Sequence, residues 1–284
     1  MTLLDQFESA FKRADKARYV YEPQPVARVV LLTDLDAAAT EREEQELKTF
    51  FRALDRQSPP PSWHRLDGGD YQGSAELLTK LQELDPDLII TYRLLKERTL
   101  DLPYSLGSYL DHLSQASRAP LLVVPRDTRQ LKLDEGTAQV MVITDSMTGD
   151  ARIVNWGATF SLPGGDLFLT HIEDDFTFER YMEVISKLDS IDTETARHDI
   201  LAQLLREPTE YIERCREAFA AAGSATQVHS VVKLGHEVTQ YVELVREHQV
   251  DLLVIEGKDE SQAAMSGLAY SLAVELRSIP LLIL

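Results

Sequence analysis

The residues in this chain that could do chemistry are few, and most lack the neighbours that chemistry needs. His171-Ile-Glu173-Asp174-Asp175 gathers metal-ligating types in one place, but its spacing fits no standard zinc or calcium site. The remaining histidines have no paired cysteine and no His-x3-His partner, and read as surface or packed side chains. Cys215 is the single cysteine, so it can neither close an internal disulfide nor supply a cysteine-based zinc site, and reads as a half-buried helix position. There is no Gly-x-Ser-x-Gly elbow and no Gly-x4-Gly-Lys-Ser/Thr loop. Neither catalytic residues nor metal ligands are assigned. What stands out is a set of aspartates and glycines at the ends of apolar runs: Asp34, Asp145, Gly107-Ser108, Gly257 and Gly267. A carboxylate at a strand end and a glycine at a helix start are types that meet polar or anionic groups.

The elements that must position them occur twice. Arg28-Val-Val-Leu-Leu-Thr-Asp34 is echoed by Gln139-Val-Met-Val-Ile-Thr-Asp145, each a buried-strand pattern that delivers an aspartate to a loop. Asp87-Leu-Ile-Ile, Gly107-Ser108 and Ala119-Pro120-Leu-Leu-Val-Val are echoed by Asp251-Leu-Leu-Val, Gly267-Leu268 and Ile279-Pro280-Leu-Leu-Ile-Leu. Glycine and proline stand 13 positions apart in both copies, with a helical pattern between them. Amphipathic helices precede Asp87 and Asp251. Short apolar strands separated by helices imply a parallel sheet with right-handed crossovers.

The copies differ in length: Asp34 and Asp87 are 53 positions apart, Asp145 and Asp251 are 106. The first half is therefore expected to lack one strand–helix pair. The second adds a strand over Asp166–Ile172, a charged helical insertion over about 176–206, a helix beginning at Pro208, and a strand over Thr226–Val232. Thr40-Glu-Arg-Glu43 reads as a capping box that opens a helix, and the glutamate run Glu41 to Glu46 as its outer face. The expected organisation is a lead-in with a short amphipathic helix (1–27), a first domain (28–126) and a second (138–284). In the lead-in, Leu4, Phe7 and Phe11 share one face, suited to packing on a neighbouring domain or a partner chain.

The formal net charge of −18 argues against nucleic acid and anionic lipid surfaces as partners. The lone cysteine fits a reducing compartment. No run of about 18 apolar residues suggests a membrane span, and Asp5 and Glu8 stand where a signal peptide needs a positive start and an apolar core. The expected location is cytoplasmic.

The repeated order of Thr-Asp strand ends, Asp-Leu-Ile/Leu strands, Gly-Ser/Leu helix starts and Ala/Ile-Pro-Leu-Leu final strands resembles the universal stress protein family, as a tandem two-domain member. The resemblance covers most of 28–126 and 138–284. It implies an α/β, doubly wound fold with a five-stranded parallel sheet in each half, the first reduced, and dimerisation through the last strand. Here the last strands, 121–124 and 281–284, are expected to pair within one chain. Such pairing removes two apolar edges.

Members that bind ATP carry Gly-x2-Gly-x9-Gly-Ser/Thr after the fourth strand, with an aspartate after the first strand near the nucleoside. By the resemblance, Asp34, Gly107, Ser108, Asp145, Gly257 and Gly267 are the candidate nucleotide or anion site, with ATP or another adenine nucleotide as the ligand to test. The match is fragmentary. Gly257 and Gly267 fit the last two glycines, but Val254 and Leu268 replace the first glycine and the serine. With Gly257 as the first glycine instead, Glu260 replaces the second. Asp259 and Glu260 would repel phosphate. In the first half, Leu94 and Glu97 replace the two earlier glycines, and Arg93, Lys96 and Arg98 could grip an anion as charges. Tyr104, Tyr109 and Tyr270 flank these sites, with core packing as the expected role and base stacking the alternative. The leading reading is a non-enzymatic stress-response or regulatory protein that works on a protein partner, tuned by nucleotide or another small anion. An ATP-binding switch with slow hydrolysis and a small-molecule enzyme on the same sheet stay open, as does a homodimer of whole chains.

Overall fold

The computed structural model describes residues 19–97, 104–143, 151–257 and 265–284. The continuous apolar runs form strands because burial on both faces of a parallel sheet favours them. In chain order the first half runs β1 (Arg28–Leu32), α1 (Ala37–Phe50), β2 (Ser62–Leu66), α2 (Ser74–Leu84), β3 (Leu88–Tyr92), α3 (Ser108–Ala116) and β4 (Leu121–Val124). The second runs β5 (Gln139–Ile143), α4 (Ala151–Phe160), β6 (Asp166–Asp174), α5 (Asp175–Ile185), α6 (Thr193–Ala221), β7 (Gln227–Gly235), α7 (Glu237–Glu247), β8 (Leu252–Ile255), α8 (Gly267–Glu275) and β9 (Leu281–Ile283).

The strands form a single nine-stranded sheet in the order β2-β1-β3-β4-β9-β8-β5-β6-β7. Every neighbouring pair is parallel except β4 and β9, which pair antiparallel with Leu122 opposite Leu282. The last strands of the halves thus close on each other as expected. The result is one sheet shared by both halves, not two separate sheets, because this pairing satisfies both edges at once. The first half has four strands to the second half's five.

The repeated residues make repeated contacts. Pro120 accepts from Ile89 N and Pro280 from Leu253 N, each at 3.1 Å. The carboxylate of Asp87 takes Ala27 N and Arg28 N at 2.8 Å, and that of Asp251 takes Gln139 N at 2.9 Å. Each aspartate tethers the start of the neighbouring strand, which accounts for the echo without any ligand.

Four readings are corrected. Helix α1 starts at Ala37 with Asp36 as its cap, Ala39 N donating to Asp36 Oδ1 at 2.8 Å, so Thr40 opens no capping box. Thr40 is buried and shares a 2.7 Å hydrogen bond with Thr33, pinning the helix to the end of β1. The glutamate run is not all outward: Glu43 and Glu44 are buried, Glu44 against Lys48 and Arg65. Pro208 lies inside α6, which runs unbroken from Thr193, so the insertion comprises α5 and the first half of α6. Cys215 is fully buried, and burial pushes its thiol up to about 12. The amphipathic segment with Leu4, Phe7 and Phe11 lies outside the described residues.

Candidate functional site

Crossover connections leave β1, β3 and β4 with their carboxyl ends along one edge, where open α/β sheets bind ligands. Asp34 follows β1 at this edge. Its carboxylate accepts the Tyr92 hydroxyl from the end of β3, the Lys96 backbone N–H at 2.8 Å, and Arg126 Nη2 on both oxygens at 2.9 Å. Burial alone would raise this carboxyl. The hydrogen bonds from Tyr92, Arg126 and Lys96, with the Arg126 charge, outweigh burial and hold it below the ordinary value. The Arg126 guanidinium also lies over the Tyr92 ring at 4.6 Å. Burial and the bond to Asp34 raise the Tyr92 phenol.

The loop after β3 turns sharply. Leu94 and Lys96 adopt left-handed backbone, φ 57° and 59°. That turn aims the Lys96 N–H at Asp34, while its ammonium donates to Gly68 O at 3.0 Å and to Tyr71 O. Arg93 Nη2 is spent on Ser105 O at 2.7 Å. Arg93 and Lys96 therefore do not form the free basic loop expected to grip an anion, and Arg98 lies outside the described residues.

Gly107 sits at φ 94°, and a Cβ there would lie 2.9 Å from Leu94 Cα, so this position requires glycine. Ser108 opens α3, and its N–H and hydroxyl donate to Glu97 Oε1 at 3.0 and 2.5 Å. A carboxylate of the chain itself thus occupies the positive end of α3, where a phosphate would sit. Glu97 stands where the resemblance expected a glycine, so the loss is a replacement: the anion is supplied from within.

Behind Asp34, Glu43 is buried on α1. Burial, then the nearby Glu46 and Asp34 carboxylates, push it up to about 7 against the pull of Arg126. Arg126 and Glu43 were missed in the sequence. Arg126 reads as the last residue of the first domain, and only the sheet order, with β3 between β1 and β4, brings it over Asp34.

The second edge differs. Asp145 lies outside the described residues. Gly257 packs tightly: its N–H donates to Leu284 O at 3.0 Å, and a Cβ would meet Ile283 Cγ2 at 2.2 Å, so packing on β9 explains this glycine. Ser266 caps α8, its hydroxyl accepting Ala269 N at 3.2 Å. Among the described residues, a Cβ on Gly267 would meet nothing within 4 Å. Of the tyrosines, Tyr109 packs on Tyr71 with ring centres 5.8 Å apart. Tyr104 is exposed, which corrects the expectation of core packing. Asp174 of the histidine-acid stretch caps α5, accepting Thr177 N at 2.9 Å.

In sequence, no family model and no curated protein matches this chain. In structure it is similar to a functionally unknown protein of Pseudomonas aeruginosa PAO1, at TM-score 0.50 and 12% identity over 91% of this chain and 92% of that one. It is also similar to a universal stress protein of Archaeoglobus fulgidus, at TM-score 0.45 and 13% identity over 91% and 85%. No helix among the described residues is long and apolar enough to cross a membrane. The chain has the tandem, doubly wound α/β fold expected from its resemblance to the universal stress proteins.

Proposed function

We propose that this protein is a non-enzymatic regulatory or stress-response protein of the universal stress protein type, acting through a protein partner, with a first half closed to nucleotide. The observation that carries this reading is the occupied edge of that half. Arg126, Tyr92 and Lys96 consume the Asp34 carboxylate, and Glu97 takes the Ser108 donors. A nucleotide would have to displace a carboxylate from a helix start and leave Asp34 and Arg126 without each other.

The test is calorimetric titration of the whole chain with ATP, backed by mass spectrometry of small molecules released on denaturation. The expected result is no heat assignable to the first half and no nucleotide carried through purification. Stoichiometric binding that disappears in Gly107→Ala would overturn the closed first half.

A second reading, an ATP-responsive switch in the second half, is favoured by the room at Gly267 at the start of α8, where a Cβ would meet no atom of the described residues within 4 Å. It requires one nucleotide per chain, lost in Gly267→Val and unaffected by Ser108→Ala.

A further inference from the structure

The nine-stranded sheet ends in two unlike edges, β2 and β7. β2 has five residues and is entered through Pro59-Pro60-Pro61. Ser62 N donates to Ala27 O at 2.8 Å, so the backbone of Ser62, His64 and Leu66 faces β1, and only that of Trp63 and Arg65 faces out. Brevity and proline are the ordinary guards of a sheet edge. β7 has nine residues and no proline. Gln227 N donates to Gly165 O at 2.9 Å, and alternate residues of a strand share a direction, so Gln227, His229, Val231, Lys233 and Gly235 bond β6. Val228, Ser230, Val232 and Leu234 turn their N–H and C=O groups the other way. Of these groups, Val228 O accepts Arg216 Nε of α6 at 3.1 Å. Among the described residues, no hydrogen bond takes up the outward backbone of Ser230, Val232 or Leu234. The outward row from Val228 to Leu234 is about 20 Å long.

Such a row is a template for one more strand. Symmetry and charge say which strand fits. About a two-fold axis through Val231, the outward positions of two antiparallel β7 strands come opposite one another. Val228 of one copy meets Leu234 of the other, and Ser230 meets Val232, each pair exchanging two N–H to O=C bonds. Val231 meets itself on the axis, an apolar, β-branched cross-strand pair. His229 comes opposite Lys233, and Asp166, whose carboxylate lies 2.5 Å from His229 Nε2, answers the two bases. β7 contains no Asp or Glu, although the chain as a whole carries a net charge of −18. Two copies that approach along this strand therefore meet on an acid-free line, where repulsion between like chains is least.

We propose that two copies of this chain pair β7 to β7, antiparallel about Val231, and continue one sheet across both molecules. The pairing repeats between chains what β4 and β9 do within one. It goes beyond the regulatory reading above and does not depend on nucleotide.

The test is sedimentation of the full chain from about 1 to 200 μM, with amide exchange followed at single residues. The expected result is a species of twice the chain mass at the upper concentrations. Amides of Ser230, Val232 and Leu234 should then exchange about tenfold more slowly, while those of His229 and Val231, already bonded to β6, change little. Val232→Pro removes one outward N–H, leaves the bonds to β6 in place, and should return the chain to monomer. Ser230→Glu keeps every backbone group, sets two carboxylates across the axis, and should do the same. Exchange of the β5 and β8 amides reports whether each variant is folded, and where the proline variant is not, the glutamate variant decides. A parent chain that stays monomeric throughout would overturn the proposal. So would a dimer that persists in a folded variant, or one whose formation leaves exchange at 230, 232 and 234 unchanged, since either places the contact elsewhere.

Discussion

The two carboxyl edges of this sheet share a plan and differ in what fills it. In the first half Asp34 is locked by Arg126, Tyr92 and Lys96, and the start of α3 is capped by Glu97, so both charges are answered within the chain. In the second half the start of α8 is capped by the neutral Ser266, and among the described residues no atom lies within 4 Å of a Cβ built on Gly267. At the first edge a carboxylate of the chain itself thus answers the positive helix start, and an arginine answers the aspartate. The scaffold survives because repeats such as Asp87 and Asp251 hold the strands independently of any ligand.

The strongest way to break the comparison is Asp34→Ala. It strands the Arg126 guanidinium and removes an acceptor from Tyr92 and Lys96, and is expected to cost about 3 kcal/mol, the low end for a broken buried pair because Arg126 is half exposed. Urea unfolding at neutral pH measures this. In a double-mutant cycle, Arg126→Ala in the Asp34→Ala background should cost less than in the parent, and equal costs would remove the lock from the account.

A paired glycine change comes next. Gly107→Ala forces a Cβ to within 2.9 Å of Leu94 Cα at a positive φ, and is expected to cost about 2 kcal/mol. Gly267→Ala meets no atom of the described residues within 4 Å and should change stability by less than about 0.5 kcal/mol. Thermal or urea midpoints of the pair give the answer, and equal effects would erase the distinction between a glycine held by geometry and one that is not.

How much of this was legible in the sequence follows the same divide. The strands were readable, because continuous apolar runs and two prolines at equal spacing mark the elements of a parallel sheet, whereas the pairing of β4 with β9 was an implication of the family resemblance alone. The strand deficit of the first half followed from counting positions. The filled edge was not readable. Glu97 registers only as a missing glycine until the fold sets it against Ser108, and Arg126 is by sequence only the last residue of the first domain. The Glu41 to Glu46 run looked solvent-facing because pattern reading assigns charge to the outside, whereas Glu43 and Glu44 lie beside cations that the fold delivers from α1, β2 and the end of β4. Pro208 looked like a helix start, and the burial of its neighbours Tyr211 and Ile212 carries α6 through it.

Glu43 sharpens the comparison through pH. Its carboxyl is raised from 4.5 to about 7 by burial and by Glu46 and Asp34. The folded state therefore binds its proton more tightly than the unfolded chain does. Stability from this group is fully present below about 4.5 and is lost as pH rises through 7. Glu43→Gln should leave stability near the parent's at pH 5 and raise it by about 1–2 kcal/mol at pH 8. Unfolding midpoints at the two pH values test this, and a gain of equal size at both would show that the proton is not involved.

The smallest expected effect concerns the anion stand-in itself. Glu97→Gln keeps an acceptor for the Ser108 N–H and hydroxyl but removes the charge at the start of α3, and should cost about 0.5–1 kcal/mol at low salt. The loss should shrink in about 1 M salt, where a Debye length of about 3 Å screens the helix end. A salt-independent loss would mean that Glu97 acts only through its hydrogen bonds. The same variant is the most sensitive probe of the first half's closure. With the charge gone but the turn intact, phosphate is the natural replacement, and stabilisation by added phosphate in Glu97→Gln but not in the parent would mark the seat that the carboxylate fills.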